Sequence, residues 1–302
     1  MPLISLEDVE VFAEGLDHAE GICLAPDGHL YVGGEAGQLY RIEADGSPQE
    51  IANTGGFALG LAADADSNIY MCDPNAGCVW RIDPRTGSHE LFADAATEGG
   101  FTNPNWGCFD AKGRYYLSDS GTWHGADGQI WVVEPDGSVA VWSHESFEFP
   151  NGMALAPDGS TLYVLESTTP ALVAIPIQPD GSAGRRRVVA VLPESVPDGV
   201  ALTVDGRFVV ACYRPDIVYL IDPDGRVEVL AHDPEGTILS APTNVVFCGP
   251  ERDQIVVPNL GRWHLSKLLH QGLVGVPLAY PIVATAKETT RSTIQKVEGE
   301  SA

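Results

Sequence analysis

Basic residues are scarce in this chain. Lysine and arginine together number 17 against 42 aspartates and glutamates, for a formal charge of −25. A surface this acidic repels phosphate backbones and anionic lipid headgroups, so neither nucleic acid nor a membrane is an expected partner. Cysteine is sparse and scattered: Cys23, Cys72, Cys78, Cys108, Cys212 and Cys248 form no Cys-x-x-Cys pair. That argues against a structural zinc site, and thiols set in apolar runs read as small buried side chains. No run of eighteen or more apolar residues occurs, and the first residues, Met1 to Asp8, carry no basic start and no apolar stretch. Neither a membrane helix nor a signal peptide is expected, and the expected location is cytoplasmic. The Gly-x-Ser-x-Gly elbow of serine hydrolases is missing too.

What the chain has in quantity is turn formers, 33 glycines and 22 prolines, in a background that is 44% hydrophobic. That combination suits many short strands joined by tight turns. The strands recur as a unit. Gly21-Ile22-Cys23-Leu24-Ala25-Pro26-Asp27-Gly28 returns as Gly152-Met153-Ala154-Leu155-Ala156-Pro157-Asp158-Gly159 and as Gly199-Val200-Ala201-Leu202-Thr203-Val204-Asp205-Gly206. Further copies begin at Gly60, Gly107 and Asn244. The turn positions fall near 28, 67, 113, 159, 206 and 252, in steps of 39 to 47 residues. Each unit has room for four strands, and a four-stranded unit can bury both faces only against neighbours. The expectation is all-β: a six-bladed β-propeller over residues 1–284, closed by a strand at Glu10-Val11-Phe12 pairing with the last blade. Residues 285–302 are polar and aperiodic and read as a flexible tail.

Several conspicuous features have plain explanations. Asp45-Gly46, Asp136-Gly137, Asp180-Gly181 and Asp224-Gly225 are hairpin turns. Asp64-Ala65-Asp66-Ser67-Asn68 lacks the spacing of an EF-hand and reads as another. Arg185-Arg186-Arg187 reads as a solvated edge.

Eight residues before each turn position stand Glu20, Leu59, Asn105, Asn151, Asp198 and Asn244. Innermost propeller strands line the central channel, so equivalent positions converge at one mouth. Five of these six are carboxylates or carboxamides, and two are anionic. Oxygen ligands of that kind suit a hard divalent cation. Leu59 would add an apolar wall. His18 would share a face with Glu20 if both lay in one extended strand, either as an alternative base or as a polar rim residue. The loop Ser120 to Gly128 and the stretch Arg262-Trp263-His264 would lie over the mouth. There Trp123 and His124 either wall a substrate or face solvent.

The phased fragments Glu20-Gly21, Asn105-Trp106-Gly107, Pro150-Asn151-Gly152 and Pro197-Asp198-Gly199 resemble the senescence marker protein/gluconolactonase/luciferin-regenerating-enzyme family over about residues 7 to 281. The resemblance implies a six-bladed propeller that acts as a metal-dependent hydrolase on a small-molecule lactone. It implies one divalent metal ion on Glu20, Asn151, Asp198 and Asn105, calcium in the first place, with zinc, magnesium or manganese as alternatives. Asp198 would be the catalytic residue, orienting or activating water, and Asn105 and Asn244 would donate to the developing oxyanion. The family's Arg-x-Asn-Asp-Gly is Asn103-Pro104-Asn105-Trp106-Gly107 here. Asn103 therefore replaces an arginine that would meet sugar hydroxyls, and Trp106 replaces an acidic residue, which together favour a less polar substrate. The competing expectations are a calcium-binding propeller without catalysis, and phosphotriester hydrolysis or a lyase or isomerase step at the same metal site.

Overall fold

The computed structural model describes residues 2–192, 194–269 and 272–283. Its strands form six four-stranded antiparallel sheets, each a blade, arranged as a propeller. The innermost strands are Ile22–Leu24, Leu61–Ala63, Pro104–Phe109, Pro150–Leu155, Val196–Leu202 and Val246–Cys248, and they define blades 1 to 6. Blade 6 takes its outermost strand from the start of the chain. Val9–Glu14 pairs antiparallel with His264–Leu269, in a register from Val9 opposite Leu268 to Glu14 opposite His264. The expected ring closure is met, and the strand is a little longer than the three residues that signalled it. The tail expected over 285–302 lies outside the described residues.

The Asp-Gly turns form as read from the sequence. Asp45, Asp136 and Asp180 each accept the backbone N–H two residues on, at 3.0 Å, while the glycine between takes the left-handed conformation. Asp64 caps its own hairpin by accepting the N–H groups of Asp66 and Asn68, both at 2.9 Å. Arg185-Arg186-Arg187 departs from the expectation. Arg185 and Arg187 are exposed, but Arg186 reaches inward to Glu166 at 2.8 Å and Glu145 at 3.1 Å, with its guanidinium over the Phe147 ring.

The core lies between blades. Tyr70, Phe109 and Tyr115 pack where blade 2 meets blade 3, with the Tyr70 and Phe109 rings edge to face at 4.7 Å. Trp106, Tyr116, Met153 and Val164 fill the seam between blades 3 and 4. Each such side chain contributes roughly 1.5–3 kcal/mol by leaving water, and none of it is available to an isolated blade. The six cysteines are free thiols, five of them buried.

Two glycines show how closely the innermost strands approach one another. A Cβ on Gly21 would collide with the carbonyl oxygen of Leu59 in the next blade, and one on Gly152 with the carbonyl oxygen of Asp198. Each follows a residue of the phased set, so the ring contracts around those residues only because no side chain intervenes.

At the far end of the channel, residues 274–281 cross from blades 5 and 6 to blades 1 and 2. Val204 and Gly275 anchor one end through N–H bonds to Val274 and Arg252, both 2.8 Å. The Tyr280 hydroxyl donating to Leu24 O at 2.8 Å, and Ala65 N–H donating to Pro281 O at 2.9 Å, anchor the other.

Gly21→Ala forces the Leu59 backbone outward. It is expected to cost about 1–3 kcal/mol, read as a lower urea midpoint with an unchanged slope.

Candidate metal centre

Three of the phased residues sit in irregular strand. The pairing register skips between Pro104 and Trp106 in blade 3, between Pro150 and Met153 in blade 4, and between Pro197 and Val200 in blade 5. Asn105, Asn151 and Asp198 lie within these skips. A bulge re-aims a side chain that regular pleating would send into a neighbouring blade. The proline before each site residue has no N–H to leave unpaired there.

The structure brings the set together. Glu20 and Asp198 are 6% and 7% exposed, and Asn105, Asn151 and Asn244 are buried as well. Burial pushes the Glu20 carboxyl up to about 8. Burial also pushes Asp198 well above the usual carboxylate range, with the nearby Glu20 charge adding to the rise and the Asn151 amide opposing it in part. Among the described residues, no cationic side chain contributes to either environment. The Asn151 Oδ1 is buried without a hydrogen-bond partner. Two buried carboxylates that repel each other, beside an orphaned carbonyl oxygen, form an oxygen-rich set that a divalent cation would satisfy. Glu20, Asn151 and Asp198 could hold such an ion, with Asn105 adjacent.

A supporting layer, which the sequence reading did not single out, fixes these side chains. The Asn105 amide donates to Ser120 Oγ at 2.9 Å, and Ser120 in turn donates to Pro150 O at 2.7 Å. One blade on, the Asn151 amide donates to Ser167 Oγ at 3.3 Å, and Ser167 donates to Pro197 O at 2.7 Å. Each serine therefore orients one amide and ties its blade to the next. Thr243 closes the circuit by donating to Glu20 O at 3.0 Å. Carboxylates at the ends of the second strands hold the incoming loops. Asp119 accepts from Thr102 N and Asn103 N at 2.7 and 2.6 Å, Asp73 from Phe57 N at 3.1 Å, and Glu166 from Glu148 N at 2.9 Å. A signal was available in the phased Asp119-Ser120 and Glu166-Ser167 pairs.

The remaining expected residues divide. His18 stands near the rim, but not in an extended strand with Glu20. Its φ is 42° and the strand begins only at Ile22, so the shared-face argument fails. His18 lies 3.1 Å from both Asp17 and Glu35 and packs against Trp263. These three side chains gather ligand-type atoms within 4.8 Å, half-exposed. Trp123 is 49% exposed and packs edge to face on His124 and on Phe149, which the sequence reading missed. Phe149 has a φ of 58° two residues before Asn151, an unusual conformation for a bulky residue. Asn103 is half-buried, its amide 3.5 Å from Gly121 O. Trp106 is 7% exposed in the seam between blades 3 and 4, and it borders the axial chamber below the ring. Asn244 also borders that chamber. Its Oδ1 accepts from Val245 N at 2.6 Å, while its Nδ2 is buried and unpartnered.

Comparison with known proteins agrees with this architecture. Regucalcin from Gallus gallus is 29% identical over 198 residues, covering 63% of this chain and 62% of that protein. Gluconolactonase from Zymomonas mobilis is 23% identical over 187 residues, covering 55% and 52%. The matched stretch spans about half the length of the curated relatives, 47% of one and 57% of another. A solved gluconolactonase from Xanthomonas campestris superposes with a TM-score of 0.75 at 20% identity, over 89% of each chain, and shares the fold. The model of the SMP-30/Gluconolactonase/LRE-like region matches residues 19–259, so the chain belongs to that family.

Proposed function

We infer that this protein is a divalent-metal-dependent hydrolase that opens a small-molecule lactone to a hydroxy acid. The observation that carries the reading is the buried pair Glu20 and Asp198 beside the Asn151 Oδ1, with neither a partner for that oxygen nor a cationic side chain to balance the pair among the described residues. The gluconolactonase among its relatives supports the substrate class. The regucalcins and the oxygen-only donor set support calcium as the ion.

A divalent cation at this site would polarise the ester carbonyl and supply the positive charge that lets both carboxylates stay ionised. Asp198 would orient water and accept its proton. Asn105 spends one N–H on Ser120 and keeps the other for the carbonyl oxygen, where negative charge develops. Asn151 is held for the ion by Ser167. At the rim, Trp123, Phe149, His124 and His18 would contact the body of the substrate. Asn103 stands where a longer basic side chain would grip sugar hydroxyls, so a less polar lactone fits better than an aldonolactone.

Asp198→Asn keeps the shape and removes the charge. It is expected to lower kcat by about 10²–10⁴-fold with unchanged far-UV circular dichroism, in a proton-release assay over sugar, aliphatic and aromatic lactones. Chelation should abolish hydrolysis and calcium should restore it. Full activity in the chelator would overturn the metal reading, and calcium binding without hydrolysis of any lactone would favour a calcium-binding propeller. Ser167→Ala should lower metal affinity about tenfold, read by calcium titration.

The carboxylates also set a pH dependence. Glu20 titrates at about 8 in the folded chain against an ordinary 4.5, so the folded state holds the extra proton between those values. Stability of the metal-free protein should therefore fall as pH rises from about 5 to 8. Saturating calcium should offset part of the fall, by about 2.7 kcal/mol at a hundred times its Kd. Melting temperatures with and without calcium across that range check it.

A further inference from the structure

Below the ring of site residues, the axial channel widens into a chamber of about 510 Å³. Its walls include Ile22, Leu61, Met153, Val200 and Val246 from the innermost strands of five blades. The roof includes Trp106 and Asn244, and the floor is the arch of residues 276–280 across the far mouth. That arch is tied at both ends, but among the described residues its middle, 277–279, makes no backbone hydrogen bond and is exposed. Leu278 lies at its centre.

Three physical points define what the chamber can hold. Its volume falls in the range of small-molecule sites, roughly 300–1,000 Å³. Walls this apolar hold water poorly, because an ordered water needs two to four polar partners. The buried exceptions are the Asn244 amide and the Tyr116 hydroxyl, each of which lines the chamber with a polar atom that has no partner among the described residues. Asn244 is 1% exposed, its Oδ1 is engaged, and its Nδ2 is a buried donor with no partner. An unmet donor at the roof of an apolar chamber is complementary to a hydrogen-bond acceptor on an otherwise apolar molecule. Asp110, Asp158, Lys112 and Arg114 line the chamber, two charges of each sign, so it has no excess of positive charge to draw in an anion.

We propose that the chamber is a second small-molecule site, entered from the far face beneath the arch, for an uncharged and mainly apolar ligand whose carbonyl or ether oxygen meets Asn244 Nδ2. It is separate from the rim around Trp123, and it does not depend on the chain being a lactonase.

The test uses the full chain and Prodan, an uncharged naphthyl ketone whose emission shifts to the blue in apolar surroundings. Saturable binding of one Prodan per chain is expected, with a blue shift. Leu155→Trp and Leu24→Trp fill the chamber from opposite blades, and each should weaken binding about tenfold or more. Asn244→Leu removes the donor and should weaken it about tenfold, the size of one buried hydrogen bond. Trp123→Ala, and calcium or a chelator, should leave the affinity unchanged. Absence of saturable binding to the native chain overturns the proposal. So does full affinity in a folded chamber-filling variant, or loss of binding in Trp123→Ala. If neither filling variant folds, Asn244→Leu and Trp123→Ala still separate a chamber site from a rim site.

Discussion

Two carboxylates buried together on the axis of a ring are the constraint around which this molecule is built. Glu20 and Asp198 come from blades 1 and 5, nearly 180 residues apart in sequence, and both are buried. Among the described residues neither has a cationic side chain to balance it, and each raises the cost of ionising the other. A fold that held only hydrophobic contacts would relieve this by spreading. The ring does not spread, because every blade needs its neighbours to cover both faces, and opening one seam would expose aromatic residues such as Tyr70, Tyr115 and Trp106. Closure by the N-terminal strand turns that mutual dependence into a clamp.

The clamp would be useless for chemistry if it did not also aim its side chains. Aim comes from irregularity at defined places. Bulges in blades 3 to 5 rotate Asn105, Asn151 and Asp198 toward the axis. Glycines at 21 and 152 let the next strand press close. Ser120 and Ser167 then fix the amides while bridging to the next blade's carbonyl, so orienting a site residue and joining two blades are one interaction. Arg186 takes part at one remove, since it holds Glu166, which holds the loop before Asn151.

The same geometry gives the channel two unlike ends. On one side of the ring lie paired carboxylates and amides under an aromatic rim. On the other lies an apolar chamber under an arch of chain. Asn244 stands at the boundary: its amide oxygen is satisfied locally, and its nitrogen is buried without a partner among the described residues.

Much of this was legible in the sequence, because propeller blades repeat and repetition survives as spacing. The near-constant step, the Asp-Gly turns and the phased Glu20, Asn105, Asn151, Asp198 and Asn244 follow from local backbone chemistry multiplied six times. Spacing alone thus determined the fold, the closing strand and which residues would converge. It could not determine orientation, which depends on φ at single residues and on contacts made by other blades. His18 would share a face with Glu20 only in an extended strand, which its left-handed φ breaks, and the Trp106 indole fills a seam between blades. Arg186 lost its place as a solvated edge to two acidic partners, one from the neighbouring blade. Phe149 gave no periodic signal, because its role comes from one strained dihedral and a tryptophan on another loop. The sequence by itself settled which residues meet on the axis. Only the tertiary structure decided which way each one faces, because that is set by neighbours far away along the chain.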